Sequence, residues 1–335
     1  MDVADMGEFQ VGVTRDMRTD DGLSAYPMDT LQEAGLNWRF LAENTDPVLA
    51  TDIEGFDAVI VGGVSVMASS LEAAEPPLLV ARLGAGFDTV DVEKCTELGI
   101  AVTTAPEGVR RPMASGGMAF LLALAHRLPE KDRRVRAGNW MRDLVGLGLG
   151  GRTLGILGLG SIGRDVATLA APFRMRVIAF DKYTSAPEGV ELLDLETVLR
   201  ESDFVIVTLP LNEDTYHLMN DERFALMKRG SYFVNIARGP IVDQAALTRA
   251  LTNGHLAAAA VDVFEQEPVD LADPLLALDN VIVSSHAIGL TQEMIDVTSR
   301  SACESVIAYA QGRPPATIIN LDVLEHPRQK AQLAR

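Results

Sequence analysis

The chain has 335 residues, of which 47% are hydrophobic, and a formal net charge of −18 at neutral pH. This length favours two domains, and the composition is that of a soluble globular protein without low-complexity segments. The negative charge argues against nucleic acid or an anionic membrane as a partner, because both would repel it. An anionic small molecule would therefore need a local cationic site.

The two cysteines, Cys95 and Cys303, cannot form a disulfide framework, and no His/Cys cluster has metal-ligand spacing, so no metal is expected. The first residues lack the basic and then apolar pattern of a secretory signal. No apolar run approaches the roughly 20 residues that a membrane helix needs. These features predict a cytoplasmic protein.

Short runs rich in Val, Ile and Leu alternate with helix-length patterns, which predicts an α/β fold with parallel sheets. In the first third of the chain, strands are predicted at residues 11–15, 57–62, 78–83 and 100–105. A short helix over 91–99 is expected to end at Gly99. After Pro112, residues 113–128 predict a long and mostly buried helix.

The same alternation resumes beyond residue 150. Further strands are predicted at residues 152–158, 175–180, 203–209, 231–237, 257–264 and 280–285. Helices are predicted at 195–202, 221–228 and 243–254, the last ending at Gly254, and a long helix at 291–312.

The segment "TLGILGLGSIGRDV" (153–166) is the most specific local motif. Gly158, Gly160 and Gly163 follow an apolar strand and open a helix, which is the context that dinucleotide binding requires. Gly158 permits a tight turn, Gly160 lets the backbone approach a pyrophosphate, and Gly163 lets the helix pack on the strand. Asp181, 18 residues after Gly163, would accept hydrogen bonds from the adenosine ribose and repel a 2′-phosphate, which favours NAD over NADP. The alternative is a glycine-rich turn that binds nothing.

Polar residues at the carboxyl ends of the strands are the candidates for chemistry, because ligands of open α/β sheets bind there. Arg238 could bind a carboxylate in bidentate fashion, although a solvated loop arginine is equally consistent with its position. Asp262, Glu265 and Glu267 precede a proline, a pattern typical of an exposed loop. His286 is the one histidine of five that follows a strand in this way, yet on its own it is more often structural than catalytic.

Several blocks occur in a fixed order: "VARLGAGFDTVDVEKCTELGIAVTTAP", "GRTLGILGLGSIGRDVA", "VTLPLNEDTYHLMN", "GSYFVNIARGPIVDQAAL", "AAVDVFEQEP" and "NVIVSSHAIG". In these blocks the chain resembles the NAD-dependent D-isomer-specific 2-hydroxyacid dehydrogenases, the family of glycerate and phosphoglycerate dehydrogenases and glyoxylate reductases. The resemblance implies a Rossmann-type doubly wound parallel sheet that binds NAD over residues 110–292. It also implies a second, flavodoxin-like α/β substrate domain formed by residues 1–109 and 293–335.

The resemblance further implies a role for each matching residue. Arg238 would hold the carboxylate and the 2-oxo oxygen of the substrate, Glu267 would hydrogen-bond the imidazole, and His286 would be the acid/base. Gly84 and Ala85 would offer backbone amides to the substrate carboxylate. The cofactor would be bound by Gly158, Gly160, Ser161, Ile162, Gly163, Asp181, Thr208, Pro210, Thr215, Ala237, Asp262, His286 and Gly289, with Asp262 facing the nicotinamide carboxamide.

This set of residues suits the reduction of a small 2-oxo acid. Hydride reaches the carbonyl carbon while negative charge grows on its oxygen, so a proton donor and a cation are needed there. A carboxylate beside His286 would stabilise the imidazolium near neutral pH. The substrate side chain stays open, because "TAP" (104–106), "MAS" (113–115) and "AIG" (287–289) depart from the family's commoner residues.

Two further expectations accompany the resemblance. A homodimer is expected, with residues 113–128 and 133–141 as the interface, and a solvated amphipathic helix is the alternative interpretation of that region. An NAD(H)-sensing binding protein of the co-repressor type, without significant turnover, is the alternative to an enzyme. The absence of long tails or an obvious peptide-recognition extension favours the enzyme.

Overall fold

In the part of the chain that the structure describes, the runs of Val, Ile and Leu form two β-sheets in which every strand pair is parallel. The computed structural model describes residues 9–22, 24–140 and 142–334. The first eight residues, on which the expectation about a secretory signal rests, lie outside this range. The chain divides into a first unit, residues 1–109 with 291–335, and a second unit, residues 110–290.

In the described residues the strands are β1 (Gln10–Val13), β2 (Asn37–Phe40), β3 (Ala58–Val61), β4 (Leu79–Arg82), β5 (Ala101–Thr103), β6 (Thr153–Leu157), β7 (Arg176–Phe180), β8 (Val190–Leu192), β9 (Phe204–Val207), β10 (Ser231–Asn235), β11 (Leu256–Val261) and β12 (Val281–Val283). The α-helices are α1 (Asp29–Glu33), α2 (Ala50–Ile53), α3 (Val92–Glu97), α4 (Pro106–Ala125), α5 (Leu128–Arg136), α6 (Ser161–Ala170), α7 (Leu195–Glu201), α8 (Asp221–Leu226), α9 (Gln244–Thr252), α10 (Gln292–Ala310) and α11 (Pro327–Leu333). None of these described helices is both long and apolar enough to cross a membrane.

The first unit contains a five-stranded sheet in the order β2-β1-β3-β4-β5, which is the flavodoxin-like order. The C-terminal segment of the chain completes its core. Cys303, Val306 and Tyr309 of α10 are buried among side chains of β1, β3 and β4. The Tyr309 hydroxyl donates to Oε1 of Gln329 at 2.6 Å, which joins α10 to α11. Burial of these apolar residues makes the C-terminal segment part of the first unit.

The second unit contains a seven-stranded sheet in the order β12-β11-β10-β9-β6-β7-β8. Alternate residues of β9 belong to different cores: Phe204 and Ile206 to one, Val205 and Val207 to the other. Helices α4 and α6 contribute to the first of these cores, and α7, α8 and α9 to the second, so both faces of the sheet are covered. The strand order reverses between β6 and β9, and this is where a doubly wound sheet binds its ligand. The predicted α/β class with a Rossmann-type sheet is confirmed.

Among the features that differ from the sequence predictions are the start of the long helix and two edge strands. The long helix was expected to begin after Pro112, and this is wrong. The helix α4 begins at Pro106, whose fixed φ and missing N–H suit the first helical position. Pro112 lies inside the helix, where it cannot donate to the carbonyl of Gly108. The strands β2 and β8 were not predicted, because these edge strands expose part of their residues and lack a continuous apolar run.

Candidate active site at the carboxyl edge of the second unit

The glycine-rich turn connects β6 to α6. Gly158 has a φ of +101°, and a Cβ on it would lie 2.8 Å from the backbone nitrogen of Leu209. A Cβ on Gly163 would lie 2.1 Å from the carbonyl oxygen of Gly158. Both positions therefore require glycine. A Cβ on Gly160 would have no atom within 4 Å, so this side of the turn is open.

The open side of the turn fits a dinucleotide pyrophosphate. Ser161 and Ile162 are the first residues of α6 and directly follow Gly160. The first N–H groups of a helix have no partner within the helix and carry the positive end of its dipole. Because Gly160 adds no side chain here, the turn leaves room for a phosphate beside these amides.

Asp181 directly follows β7 and is tied to the glycine-rich turn. Its Oδ2 accepts a hydrogen bond from the Leu159 amide at 2.7 Å, and its Oδ1 accepts one from the Tyr183 amide at 2.8 Å. Arg164, which was not predicted as a site residue, donates to the carbonyl oxygens of Leu159 at 3.1 Å and Ser185 at 2.7 Å. Two side chains thus fix the turn to the loop after β7, and each Asp181 oxygen keeps a second lone pair for a ribose hydroxyl.

The two threonines after β9 use their hydroxyl protons within the protein rather than offer them to a ligand. Thr208 Oγ1 donates to the carbonyl oxygen of Gly158 at 2.6 Å. The buried Thr215 Oγ1 donates to the carbonyl oxygen of Pro210 at 2.7 Å and accepts from the Asn212 amide at 2.8 Å. Pro210 itself is exposed on this loop. These predicted groove residues therefore shape the loop, and Pro210 lies on its surface.

Arg238 follows β10 and is half-buried. The side chain of Asn235, which was not predicted, holds this segment: it accepts from the Ala237 amide and donates to the Arg238 carbonyl, both at 3.1 Å. A Cβ on Gly239 would lie 1.7 Å from the carbonyl oxygen of Phe264. The glycine after Arg238 therefore lets the loop after β10 pack against the loop after β11.

Asp262 follows β11 and is 1% exposed. Its carbonyl oxygen accepts from the His286 amide at 2.7 Å, and its Oδ1 accepts from the amides of Ala287 and Ile288, both at 2.9 Å. Three consecutive amides are thus held by one residue, which stabilises the left-handed conformation of His286, with its φ of +55°.

The second carboxylate oxygen of Asp262, Oδ2, is buried and has no hydrogen-bond partner in the described part of the chain. A buried acceptor without a partner costs free energy unless a ligand supplies a donor. The amide hydrogens of a nicotinamide carboxamide are donors of the required kind. Asp262 therefore fits the nicotinamide end of a dinucleotide, as the open turn at Gly160 fits the pyrophosphate.

His286 and Glu267 form a hydrogen-bonded pair, with His286 Nδ1 2.8 Å from Glu267 Oε2. Glu267 Oε1 accepts from the Phe264 amide at 3.0 Å, so both carboxylate oxygens are engaged. Burial of Glu267 raises its pKa, but the hydrogen bonds from His286 and Phe264, with the positive charge of Arg238, outweigh burial and hold the pKa below its ordinary value. With Nδ1 engaged, Nε2 is the imidazole nitrogen that can exchange a proton with a ligand.

Three predicted residues lie in other surroundings. Gly289 packs against α4, where a Cβ would lie 2.3 Å from the sulfur of Met113, so its contact is with protein. Gly84 and Ala85 follow β4 in the first unit, and Gly84 has a φ of +136°.

The described residues contain no group of three His, Cys, Asp or Glu side chains arranged to hold a metal ion.

Comparison with known proteins places this arrangement in a family. Residues 118–287 match the profile of the D-isomer specific 2-hydroxyacid dehydrogenase, NAD binding domain. A glyoxylate reductase of Korarchaeum cryptofilum is 37% identical over 302 residues, covering 86% of this chain and 90% of that protein.

Solved structures agree with the sequence match. The TT0316 protein of Thermus thermophilus has a TM-score of 0.84 and 34% identity, over 92% of this chain and 99% of that one. The D-lactate dehydrogenase of Aquifex aeolicus, solved with NAD and lactic acid, has a TM-score of 0.82 and 26% identity over the same shares. The chain therefore belongs to the D-isomer specific 2-hydroxyacid dehydrogenase family of oxidoreductases, which use a nicotinamide dinucleotide.

Proposed function

We propose that the protein transfers a hydride between NAD(H) and a small 2-hydroxy or 2-oxo acid. The observation that carries the proposal is the His286–Glu267 pair, with 2.8 Å between Nδ1 and Oε2, at the same sheet edge as the glycine-rich turn. The names of the relatives support this substrate class, because one is a glyoxylate reductase and another was solved with lactic acid.

The roles of the side chains follow from their chemistry. Bound NADH supplies the hydride in the reductive direction, and NAD⁺ accepts it in the other. His286 Nε2 donates a proton to the 2-oxo oxygen and recovers it from the hydroxyl in the reverse reaction. Glu267, whose lowered pKa keeps it ionised at neutral pH, stabilises the imidazolium form. Arg238 binds the substrate carboxylate.

A panel of 2-oxo acids tests the proposal. The purified protein should oxidise NADH with at least one of glyoxylate, hydroxypyruvate, pyruvate or a bulkier 2-oxo acid, followed by the loss of NADH absorbance. Matched aldehydes that lack the carboxylate are the control, and we expect them to react much more slowly because they give Arg238 no anion to bind. Tight NADH binding without turnover across the panel would contradict the proposal and favour an NAD(H)-sensing binding protein. That alternative is not favoured, because the relatives are named as enzymes.

NAD is the proposed cofactor rather than NADP, because the Asp181 carboxylate would repel a 2′-phosphate. Replacing Asp181 with Asn removes the charge but keeps an oxygen for the Leu159 amide. We expect the ratio of kcat/KM with NADPH to kcat/KM with NADH to rise about tenfold, the effect of removing one nearby repulsive charge. Steady-state kinetics with both cofactors measures this ratio, and an unchanged ratio would place the discrimination elsewhere.

A homodimer is the proposed assembly, through residues 113–128 and 133–141. Its support is the exposure of apolar side chains in this region: Leu128 is 59% exposed, Val135 53% and Trp140 84%. Exposed large apolar residues close together are typical of protein interfaces. Met141, the last residue of the proposed interface, lies outside the described residues.

A further inference from the structure

The loop after β11 carries a second histidine–carboxylate pair that the proposed function does not use. Glu265 Oε1 contacts Nε2 of His217, as Glu267 Oε2 contacts Nδ1 of His286. The two glutamates stand two residues apart, and each binds a histidine from a different segment of the chain. Both pairs are about equally accessible, with His217 and Glu265 side chains 36% and 34% exposed.

The backbone of His217 is fixed to the loop that carries Arg238. The His217 amide donates to the carbonyl oxygen of Pro240 at 2.8 Å, and the Met219 amide donates to that of Ile241 at 3.0 Å. The φ of His217 is +46°, a left-handed conformation that few residues other than glycine adopt. These two backbone hydrogen bonds therefore join the segment at His217 to the residues that follow Arg238 in the chain.

The loop that carries Glu265 is connected in turn to Glu267. The Phe264 amide donates to Glu267 Oε1 at 3.0 Å, and the Phe264 carbonyl lies where a Cβ of Gly239 would be. The Glu265 amide donates to Oε1 of Gln244 at 3.1 Å. A shift of Glu265 would therefore move Phe264 and with it the Glu267 carboxylate.

We propose that His217 and Glu265 are positioning residues that hold the loop after β11 so that the Glu267 carboxylate stays on His286 during proton transfer. The inference rests on the proposed function, because the proposed function assigns His286 as the acid/base. A half-exposed histidine–carboxylate pair that served stability alone would contribute little to folding and would leave the chemical step unchanged. The two possibilities therefore differ in kcat per folded active site.

The test compares His217→Ala, Glu265→Ala and the double variant with wild type. We expect each to lower kcat about tenfold, because small misplacements of catalytic groups cost that much or more, and the double variant to lose no more than either single one. The dissociation constant for NADH, measured by fluorescence titration, should change by less than about twofold. The same titration counts the folded active sites, so a folding defect is separated from a catalytic one.

Two further variants sharpen the test. His217→Gln should restore most of kcat, because its amide nitrogen reaches the position of Nε2 and can donate to Glu265. In a Glu267→Gln background, His217→Ala should cause no further loss, since the group that it positions is gone. The matched control is Glu191→Ala, which removes an exposed partner of Arg176 on the edge strand β8 and should leave kcat unchanged.

Two results would overturn the inference alone: wild-type kcat in His217→Ala, or an equal loss in the Glu267→Gln background. Absence of turnover by the wild-type protein across the 2-oxo acid panel would overturn the proposed function as well. The failure of the inference is thereby distinguished from the failure of the function on which it rests.

Discussion

Replacing His286 with Ala should lower kcat by about 100-fold or more while the affinity for NADH stays nearly unchanged. A positioned general acid typically contributes a factor of this size, and in the proposed mechanism the imidazole supplies the proton to the 2-oxo oxygen. The glycine-rich turn and Asp262, which fit the cofactor, retain their geometry without the ring. Steady-state kinetics with NADH and the best substrate of the panel, together with fluorescence titration of NADH, measures both quantities.

His286→Asn is the more informative companion variant, because Asn tolerates a left-handed backbone better than Ala does. If both variants lose kcat to the same extent, the loss comes from the missing acid/base and not from strain at the φ of +55°. His255→Ala is the matched control. His255 contacts the Met227 carbonyl and lies at the amino end of β11, whereas the candidate site lies at the carboxyl ends of the strands. A His286→Asn protein that keeps more than about a tenth of wild-type kcat would refute the acid/base assignment.

Replacing Arg238 with Ala should raise KM for the 2-oxo acid and lower kcat together. In the proposed mechanism the guanidinium both binds the substrate carboxylate and orients the carbonyl, so its loss should affect the ground state and the transition state. Hydrogen bonds to an ionised group contribute about 1.5–3 kcal/mol each, and we therefore expect kcat/KM to fall about 100-fold or more. The loss should be largest for substrates that have no other anionic group.

Arg238→Lys separates charge from geometry. Lysine keeps the positive charge but cannot pair with a carboxylate through two parallel N–H groups, so an intermediate kcat/KM is expected. Arg249→Ala is the matched control, because Arg249 forms an exposed ion pair with Asp221 in the same unit. An unchanged KM in Arg238→Ala would move the carboxylate site to other residues.

The secondary structure of the two units could be predicted from the sequence only in part. Buried strands such as β6 and β9 were visible in the sequence, because strands buried on both faces are rich in apolar residues. The edge strands β2 and β8 were missed because they share their exposed pattern with loops. The start of α4 was missed because Pro112 is usually a helix boundary, whereas here it lies inside the helix.

The glycine-rich turn can be recognised from the sequence alone, because two of its glycines meet local requirements. Gly158 needs a positive φ, and Gly163 needs the absence of a Cβ beside the Gly158 carbonyl. Such requirements act over a few residues and are therefore encoded by residue type and spacing. The resemblance to the family could be recognised for the same reason, because the motifs that carry it are short and local in the sequence.

Which strand ends meet depends on the tertiary structure. The strand order puts the loops after β10, β11 and β12 side by side, and this brings His286 to Glu267 across 19 residues of chain. It also lets the buried Asp262 accept hydrogen bonds from three consecutive amides, and it leaves one carboxylate oxygen of Asp262 for a ligand. Local sequence patterns do not specify strand order, because many orders bury the same apolar runs. The chemistry of single residues and, through the family resemblance, the Glu267–His286 pair were therefore predictable from the sequence, whereas the other hydrogen-bonded partners were set by the packing of the sheet.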